Sequence, residues 1–473
     1  MPKSRAGLYC NYSMINKLIR KIFGIGTKKS PSADKPATLN SAQHGIDPRL
    51  VSNSAIRVVR ILQNAGYEAY IVGGAVRDLL LGVKPKDFDV STNATPEQVK
   101  QLFRRAFLIG RRFQIVHVLL GQDLIEVTTF RGASTKPALK DEAGRLLRDN
   151  NFGSQAEDAS RRDFTINAMY YNPANQLLLD YHGGMDDLRR KTLRIIGNPE
   201  QRYREDPVRM LRIVRFAAKL GFSIDAATLA PIASLAPLIN NVPSARLFDE
   251  MLKLLMSGHA MSCLKELRAR GLHKGLLPLL DVALEQPQAA HFIEIALNKT
   301  DLRIRDDKRI SPGFLFASLL WTQVEERWAH YRANGDYPIP ALVAAANDIL
   351  DAQTEKLAIQ RRIASDMKDI WLMQPRLERR TGKSPYRLLE NDRFRAAYDF
   401  LLIRCESGEL APEIGQWWTR FIDATGEERQ RMIDEQTRSL AETPSGHKRH
   451  RRSRRRRKTS SVSTISQAEN TQP

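Results

Sequence analysis

The run Ile71-Val72-Gly73-Gly74-Ala75-Val76-Arg77-Asp78-Leu79-Leu80-Leu81-Gly82 constrains this chain more than any other stretch. An apolar strand enters two glycines and a helix-compatible run leaves them, so the backbone must turn sharply between two regular elements. Such a turn lets backbone N–H groups approach phosphate oxygens closely, and Arg77 adds a charged fork. A plain tight turn is the other reading of Gly73 and Gly74. Shortly after comes Lys86-Asp87-Phe88-Asp89-Val90. In a strand, residues two apart face the same way, so Asp87 and Asp89 set two carboxylates side by side while Phe88 turns to the core. Like charges that close are costly unless a cation lies between them, and hard oxygen donors suit Mg²⁺ or Mn²⁺. Alone, Asp-x-Asp also fits a solvated turn or cap; beside a Gly-Gly loop it is a candidate metal site. Glu126, within Ile125-Glu126-Val127, is a candidate third carboxylate, or else an exposed strand face or an ion pair with Arg131.

The texture around these motifs predicts an α+β fold: a small mixed-sheet head, then an all-helical neck and body, with disordered basic termini. A helix ends near Ala65, strands are expected at Tyr67–Val72, Phe88–Val90, Ile115–Leu120 and Leu124–Thr129, and Gly121-Gln122-Asp123 makes a hairpin turn. Residues 132 to about 155 read as a loop. Beyond Leu188 convincing strands disappear, and helices are expected over Pro207–Leu220, Ala245–Met256, Met261–Arg270 and Arg393–Leu402. The expected division is an N-terminal extension over 1–48, a head over 49–188, a neck over 189–275, a helical body over 276–442 and an Arg-rich tail over 443–473. The tail's composition cannot bury enough apolar surface to fold alone.

The formal charge is +21, and removing the nine basic residues between Lys448 and Lys458 still leaves +12. That excess favours a polyanionic partner, nucleic acid first and anionic membrane second, over small neutral metabolites. Met14, Ile15, Leu18, Ile19, Ile22 and Phe23 recur at helical spacing beside Lys17, Arg20 and Lys21, which allows weak peripheral membrane contact, packing on the protein, or disorder. Cys10, Cys263 and Cys405 are far apart without a CxxC pair, so neither a disulfide framework nor a zinc site is supported, and a reducing cytoplasm fits. No apolar run approaches bilayer length.

Two further runs complete the pattern: Arg161-Arg162-Asp163-Phe164-Thr165-Ile166-Asn167-Ala168-Met169, and Arg204-Glu205-Asp206-Pro207-Val208-Arg209-Met210-Leu211-Arg212-Ile213-Val214-Arg215-Phe216. Together with the Gly-Gly and Asp-x-Asp elements, and in that order, they make the chain from about Asn53 to Gly271 resemble the class II nucleotidyltransferases, which comprise bacterial poly(A) polymerases and CCA-adding enzymes. The resemblance implies that Gly73, Gly74 and Arg77 lie at a triphosphate and that Asp87 and Asp89 hold the metals. It also implies that Asp163 joins the catalytic group, with Arg162 serving the phosphate and ribose. Asp206 and Arg209 would read the base, with Arg212 and Arg215 nearby. The local chemistry is compatible, because Arg209, Arg212 and Arg215 form one basic stripe on a helix whose Leu211, Val214 and Ala218 pack inward. An ordinary amphipathic helix with a solvated Arg face would carry the same spacing.

Within that family, Leu108-Ile109-Gly110-Arg111-Arg112-Phe113-Gln114-Ile115-Val116-His117-Val118 looks like the element that marks poly(A) polymerases, although a charged turn before a core strand reads alike. Arg111 and Arg112 are candidate RNA-binding residues. So are Arg454, Arg455, Arg456 and Arg457, since sequence-independent phosphate contacts serve a polymerase acting on many RNAs. The implied activity is template-independent addition of AMP from ATP to RNA 3′ ends, with release of pyrophosphate, by a two-Mg²⁺ mechanism. It would promote RNA processing and decay, with RNA-decay proteins as possible partners. The alternative is a CCA-adding tRNA nucleotidyltransferase.

Overall fold

A computed structural model describes residues 35–110, 114–132, 151–273, 286–354 and 358–442. Eight strands form one sheet: β1 (Ala37–Leu39), β2 (Ala69–Val72), β3 (Asp89–Thr92), β4 (Ala106–Ile109), β5 (Ile115–Leu120), β6 (Asp123–Thr129), β7 (Met169–Asn172) and β8 (Leu177–Asp180). Their spatial order is β1-β8-β7-β2-β3-β6-β5-β4. Every pairing is antiparallel except β3 with β6, so the sheet is mixed, as expected.

Strand alternation gives the sheet two unlike faces. Ile71, Val90, Val116, Val118, Ile125, Val127, Met169, Tyr171 and Leu178 form one continuous apolar face within the main core. Helix α1 (Asn53–Asn64) is started by Ser52, whose side chain accepts from the Ala55 N–H at 3.3 Å, and it adds Val58, Val59 and Leu62 to that core. Truncating Leu62 to alanine there costs about 2–5 kcal/mol.

The opposite face is divided. On the β2–β7–β8 side, Val72 and Tyr170 pack with Phe130 and with Ala159 of helix α3 (Gln155–Arg161). On the β3–β6–β5–β4 side, the same face carries Asp89, Glu126, His117 and Phe107 in direct cross-strand register. Helix α2 (Gly74–Leu80) follows β2 directly and places the glycine turn beside this boundary.

The longer helices of the neck are α4 (Pro199–Glu205), α5 (Val208–Leu220), α6 (Ser244–Leu255) and α7 (Ala260–Ala269). The last three agree with the helical periodicity to within a residue, whereas α4 is not expected from it. Strands do not vanish after Leu188, however: β9 (Thr192–Leu193) and β10 (Ser223–Ile224) pair in parallel. Each has only two residues, too few for alternation to register in the sequence.

A second compact unit begins at Met373. Its core gathers Leu377, Phe394, Leu401, Trp417, Trp418 and Phe421 from successive helices. Arg404 is buried there and is held by Glu378 at 2.8 Å and Glu409 at 2.6 Å. Among the described residues no helix is long and apolar enough to cross a membrane. The amphipathic stretch Met14–Phe23, most of the loop after Gly132, Arg111, Arg112 and the tail with Arg454, Arg455, Arg456 and Arg457 lie outside the described residues.

Candidate active site

Gly73 joins β2 to α2 with φ 72° and ψ −135°, a conformation open to glycine and strained for other residues. A Cβ built on it would lie 3.6 Å from both Arg162 Nη1 and Asp89 Oδ2, an ordinary contact, so backbone conformation rather than space selects glycine. One turn into α2, the Arg77 guanidinium is buried. It donates to Asp78 Oδ1 at 2.7 and 2.9 Å and to Asn167 Oδ1 at 2.9 Å.

Strand β3 starts at Asp89, with Asp87 on the approach to it and Phe88 in the core between them. Burial, and then the Glu126 charge beside it in the parallel β3–β6 register, push the Asp89 carboxyl up to about 6; Arg162 opposes this and Asp87 adds to it. Glu126 Oε1 lies 3.3 Å from His117 Nε2 on the next strand. Among the described residues no three His, Cys, Asp or Glu side chains gather tightly enough to hold a metal by themselves. Magnesium is commonly bound by one or two carboxylates, with substrate phosphates and water completing its shell. Asp89, buried and crowded by two other acidic groups, fits that donor set, because a cation there offsets both the cost of a buried charge and the repulsion.

Arg162 is held at the boundary between the two halves of that face. It donates to Ser91 Oγ at 3.0 Å, Asp158 Oδ2 at 3.1 Å and the Tyr170 hydroxyl at 3.1 Å. Burial works against its charge, but Tyr170 and Asp158 outweigh burial and hold the guanidinium above its ordinary range. Asp163 points to the neck instead: its Oδ2 accepts from Arg212 Nε at 2.9 Å and Nη2 at 2.6 Å, while Oδ1 accepts from the Phe164 N–H at 2.8 Å. Burial alone would raise the Asp163 carboxyl; Arg212 overrides it and keeps the group ionised below the usual carboxylate range. The partner of Asp163 is thus an arginine of the expected base-reading helix.

Asp206 closes α4 and precedes α5. Its Oδ1 accepts from the Val208 N–H at 3.3 Å and its Oδ2 from Arg246 Nη2 at 2.7 Å. Along α5, Arg209 donates to the Arg202 carbonyl at 2.7 Å. Arg215 lies 3.9 Å from Glu250, a buried acid of α6 that also meets Lys253 at 2.9 Å. Leu211 and Val214 are buried as the spacing implied, with Ala218 half-buried. The guanidiniums of Arg77, Arg212 and Arg215 all lie over the Phe216 ring, at 5.3, 5.8 and 5.0 Å from its centroid.

These elements enclose one cleft of about 500 Å³, lined by Gly73, Gly74, Arg77, Asp89, Arg162, Asp163, Asp206, Arg209, Arg212 and Arg215. Its volume is that of an ordinary small-ligand site. Arg161, Asn167, Phe216 and Arg246 line it too, and sequence reasoning assigned them no role. Arg161 and Asn167 lie in the Arg161–Met169 run and Phe216 ends the Arg204–Phe216 run. Arg246 had no local signal, because it reaches Asp206 across 40 residues of chain. Seven arginines against three aspartates leave the lining cationic, which suits a polyphosphate.

Three segments match known family models: residues 69–194 the poly A polymerase head domain, residues 221–284 a probable RNA and SrmB-binding site of polymerase A, and residues 334–458 the polymerase A arginine-rich C-terminus. The chain is 46% identical over 410 residues to poly(A) polymerase I of Salmonella typhi, covering 83% of this chain and 87% of that one. It is 41% identical over 204 residues to a CCA-adding enzyme of Enterococcus faecalis, covering 43% and 48%. Among solved structures, a Bacillus stearothermophilus CCA-adding enzyme in complex with CTP superposes with a TM-score of 0.51 at 26% identity, over 80% of this chain and 82% of that one.

Proposed function

This chain belongs to the poly(A) polymerase family, and from that premise we propose that it extends RNA 3′ ends with adenylate taken from ATP, releasing pyrophosphate. The observation that carries the reading is the single cationic cleft in which the glycine turn, the Asp89 edge and the arginine stripe of α5 meet. In this reading Gly73, Gly74 and Arg77 seat the triphosphate, while Arg162 and Asp163 fix the walls around phosphate and ribose. Asp206 accepts from the adenine amino group and Arg209 donates to a ring nitrogen. Guanine presents an acceptor where adenine presents a donor and leaves the aspartate unpaired, so the protein stands in for a template.

Asp87 and Asp89 would hold divalent magnesium, with Glu126 alongside. The bound ions supply activation of the attacking hydroxyl and neutralisation of the departing pyrophosphate. The chain itself contributes placement and fixed charge. Residues 49–188 then act as catalytic head, 189–275 as base-reading neck and 276–442 as body. The Arg-rich segment 443–473, together with Arg111 and Arg112, adds sequence-independent contacts to RNA phosphates. We place the activity in the cytoplasm, with RNA-decay proteins as partners and the Met14–Phe23 stretch as a route to weak membrane contact.

The test offers a 5′-labelled RNA primer with a free 3′ hydroxyl and each nucleoside triphosphate in turn. ATP is expected to give long homopolymers and CTP almost no extension. Efficient addition of cytidylate to a tRNA lacking its CCA end would instead identify a CCA-adding enzyme.

A further inference from the structure

The glycine turn, the carboxylates and the neck have roles in that reaction; the outer part of the sheet's other half, which no described helix seals as α3 seals the β2–β7–β8 side, has none. That half is a continuous row. Asp89 on β3 is in register with Glu126 on β6, Glu126 with His117 on β5, and His117 with Phe107 on β4, the edge strand. Directly paired residues share a face, so the row runs from the reacting carboxylate to the rim of the sheet. At the rim, Phe107 is 51% exposed and Ile109 on the same strand 46%. Elsewhere the same face is sealed by aromatic packing against α3. A large aromatic left open at one end of a row that ends in carboxylates calls for an occupant with both an apolar face and a reacting polar group.

We propose that the row is the seat of the RNA primer's 3′-terminal nucleotides, with Phe107 as the platform on which a primer base stacks. This rests on the polyadenylation reading. In nucleotidyl transfer the primer 3′ oxygen bonds to the α-phosphorus as the bond to the bridging oxygen of the pyrophosphate breaks, and the hydroxyl proton passes to water. The entering and leaving oxygens lie roughly in line across the phosphorus. The glycine turn that seats the pyrophosphate follows β2, on one side of Asp89; the entering 3′ oxygen therefore comes from the other side, where β6, β5 and β4 lie in that order. The terminal nucleotide rests beside Glu126 and His117, and a preceding base reaches Phe107. Stacking is indifferent to base identity, as a primer site for varied RNA ends requires.

The test uses the full chain, with steady-state extension of an RNA primer and the fluorescence of 2-aminopurine placed near the primer 3′ end. Phe107→Ala is expected to raise the KM for RNA about tenfold, leaving kcat and the KM for ATP within about twofold. It should also lose the quenching of 2-aminopurine on binding, and Phe107→Trp should restore both. A Phe107→Ala enzyme with wild-type RNA KM and quenching overturns the proposal, as does a raised KM that tryptophan does not rescue. If Phe107→Ala only shifts sedimentation from dimer to monomer, the face belongs to a second copy of the chain and the proposal fails. Should the wild-type protein not extend RNA at all, the polyadenylation reading fails by itself, and quenching still reports whether Phe107 stacks a base.

Discussion

Replacing Asp89 with asparagine is expected to destroy the reaction and stabilise the protein. The carboxyl moves from 3.8 to about 6 on folding, with burial the first cause and the Glu126 charge the second. Between those pH values the folded chain keeps a proton that the unfolded chain has released, so stability falls as pH rises through the window, and the full cost applies above it. That cost is roughly 2–3 kcal/mol. Asparagine keeps the shape and removes the charge. In chelator at about pH 8, Asp89→Asn should therefore raise the melting temperature of the unit that contains it by roughly 5 °C, an advantage that shrinks as pH falls through the window and is gone only below about pH 3, where the wild-type carboxyl is protonated in both states. Magnesium should then stabilise the wild type and leave the variant unmoved, because an ion stabilises only the state that binds it. A variant that melts at or below the wild type at about pH 8, or whose advantage is unchanged at about pH 4, refutes the account of Asp89 as a carboxylate crowded in anticipation of a cation.

Asp87→Ala should lower adenylate incorporation by more than about a hundredfold while RNA retention on a filter stays near wild type, since a lost metal donor exceeds the effect of a lost outer partner. Gly73→Ala forces a side chain into φ 72° at a strain of about 1–3 kcal/mol; a lower melting point together with a raised KM for ATP is the expected pair of readouts. Arg246→Ala frees Asp206 Oδ2, and the preference for ATP over CTP in single-nucleotide addition should fall about tenfold or more. Asp163→Ala leaves Arg212 without its close carboxylate partner and should cost about 3 kcal/mol in denaturant titration, with asparagine costing less.

The neck helix α5 is legible in the sequence because Leu211 and Val214 recur at helical spacing opposite Arg209, Arg212 and Arg215, and every residue that defines the stripe lies within two turns. The β5–β6 hairpin is equally local, with alternation on both arms and a glycine between them. The sheet's outer members are not. β1 has three residues and pairs with β8, more than a hundred residues away, so neither period nor turn announces it. The approach to β3 shows the limit within a motif: two-residue spacing places Asp87 and Asp89 together, but the ladder with β2 begins only at Asp89, a boundary set by where its partner ends.

The site divides in the same way. Most of the groups that line the cleft stand in runs legible in the chain, because they recur at fixed spacing on one strand, turn or helix. The groups that hold them do not, because a buried charge takes its partner from whatever element packs against it. Arg162 depends on Tyr170, Asp158 and Ser91, Asp206 on Arg246, and the far end of the stripe on Glu250. Each of those partners is a common residue in an unremarkable local context. Glu126 lies between the two cases: its sequence setting admitted a solvated strand face, and only the parallel β3–β6 register, joining segments separated by a helix and two strands, puts it beside Asp89. Burial is the first cause of the raised Asp89 pKa, and that same register supplies the second, so a feature scarcely visible in the sequence adds to how strongly the carboxylate edge attracts a cation.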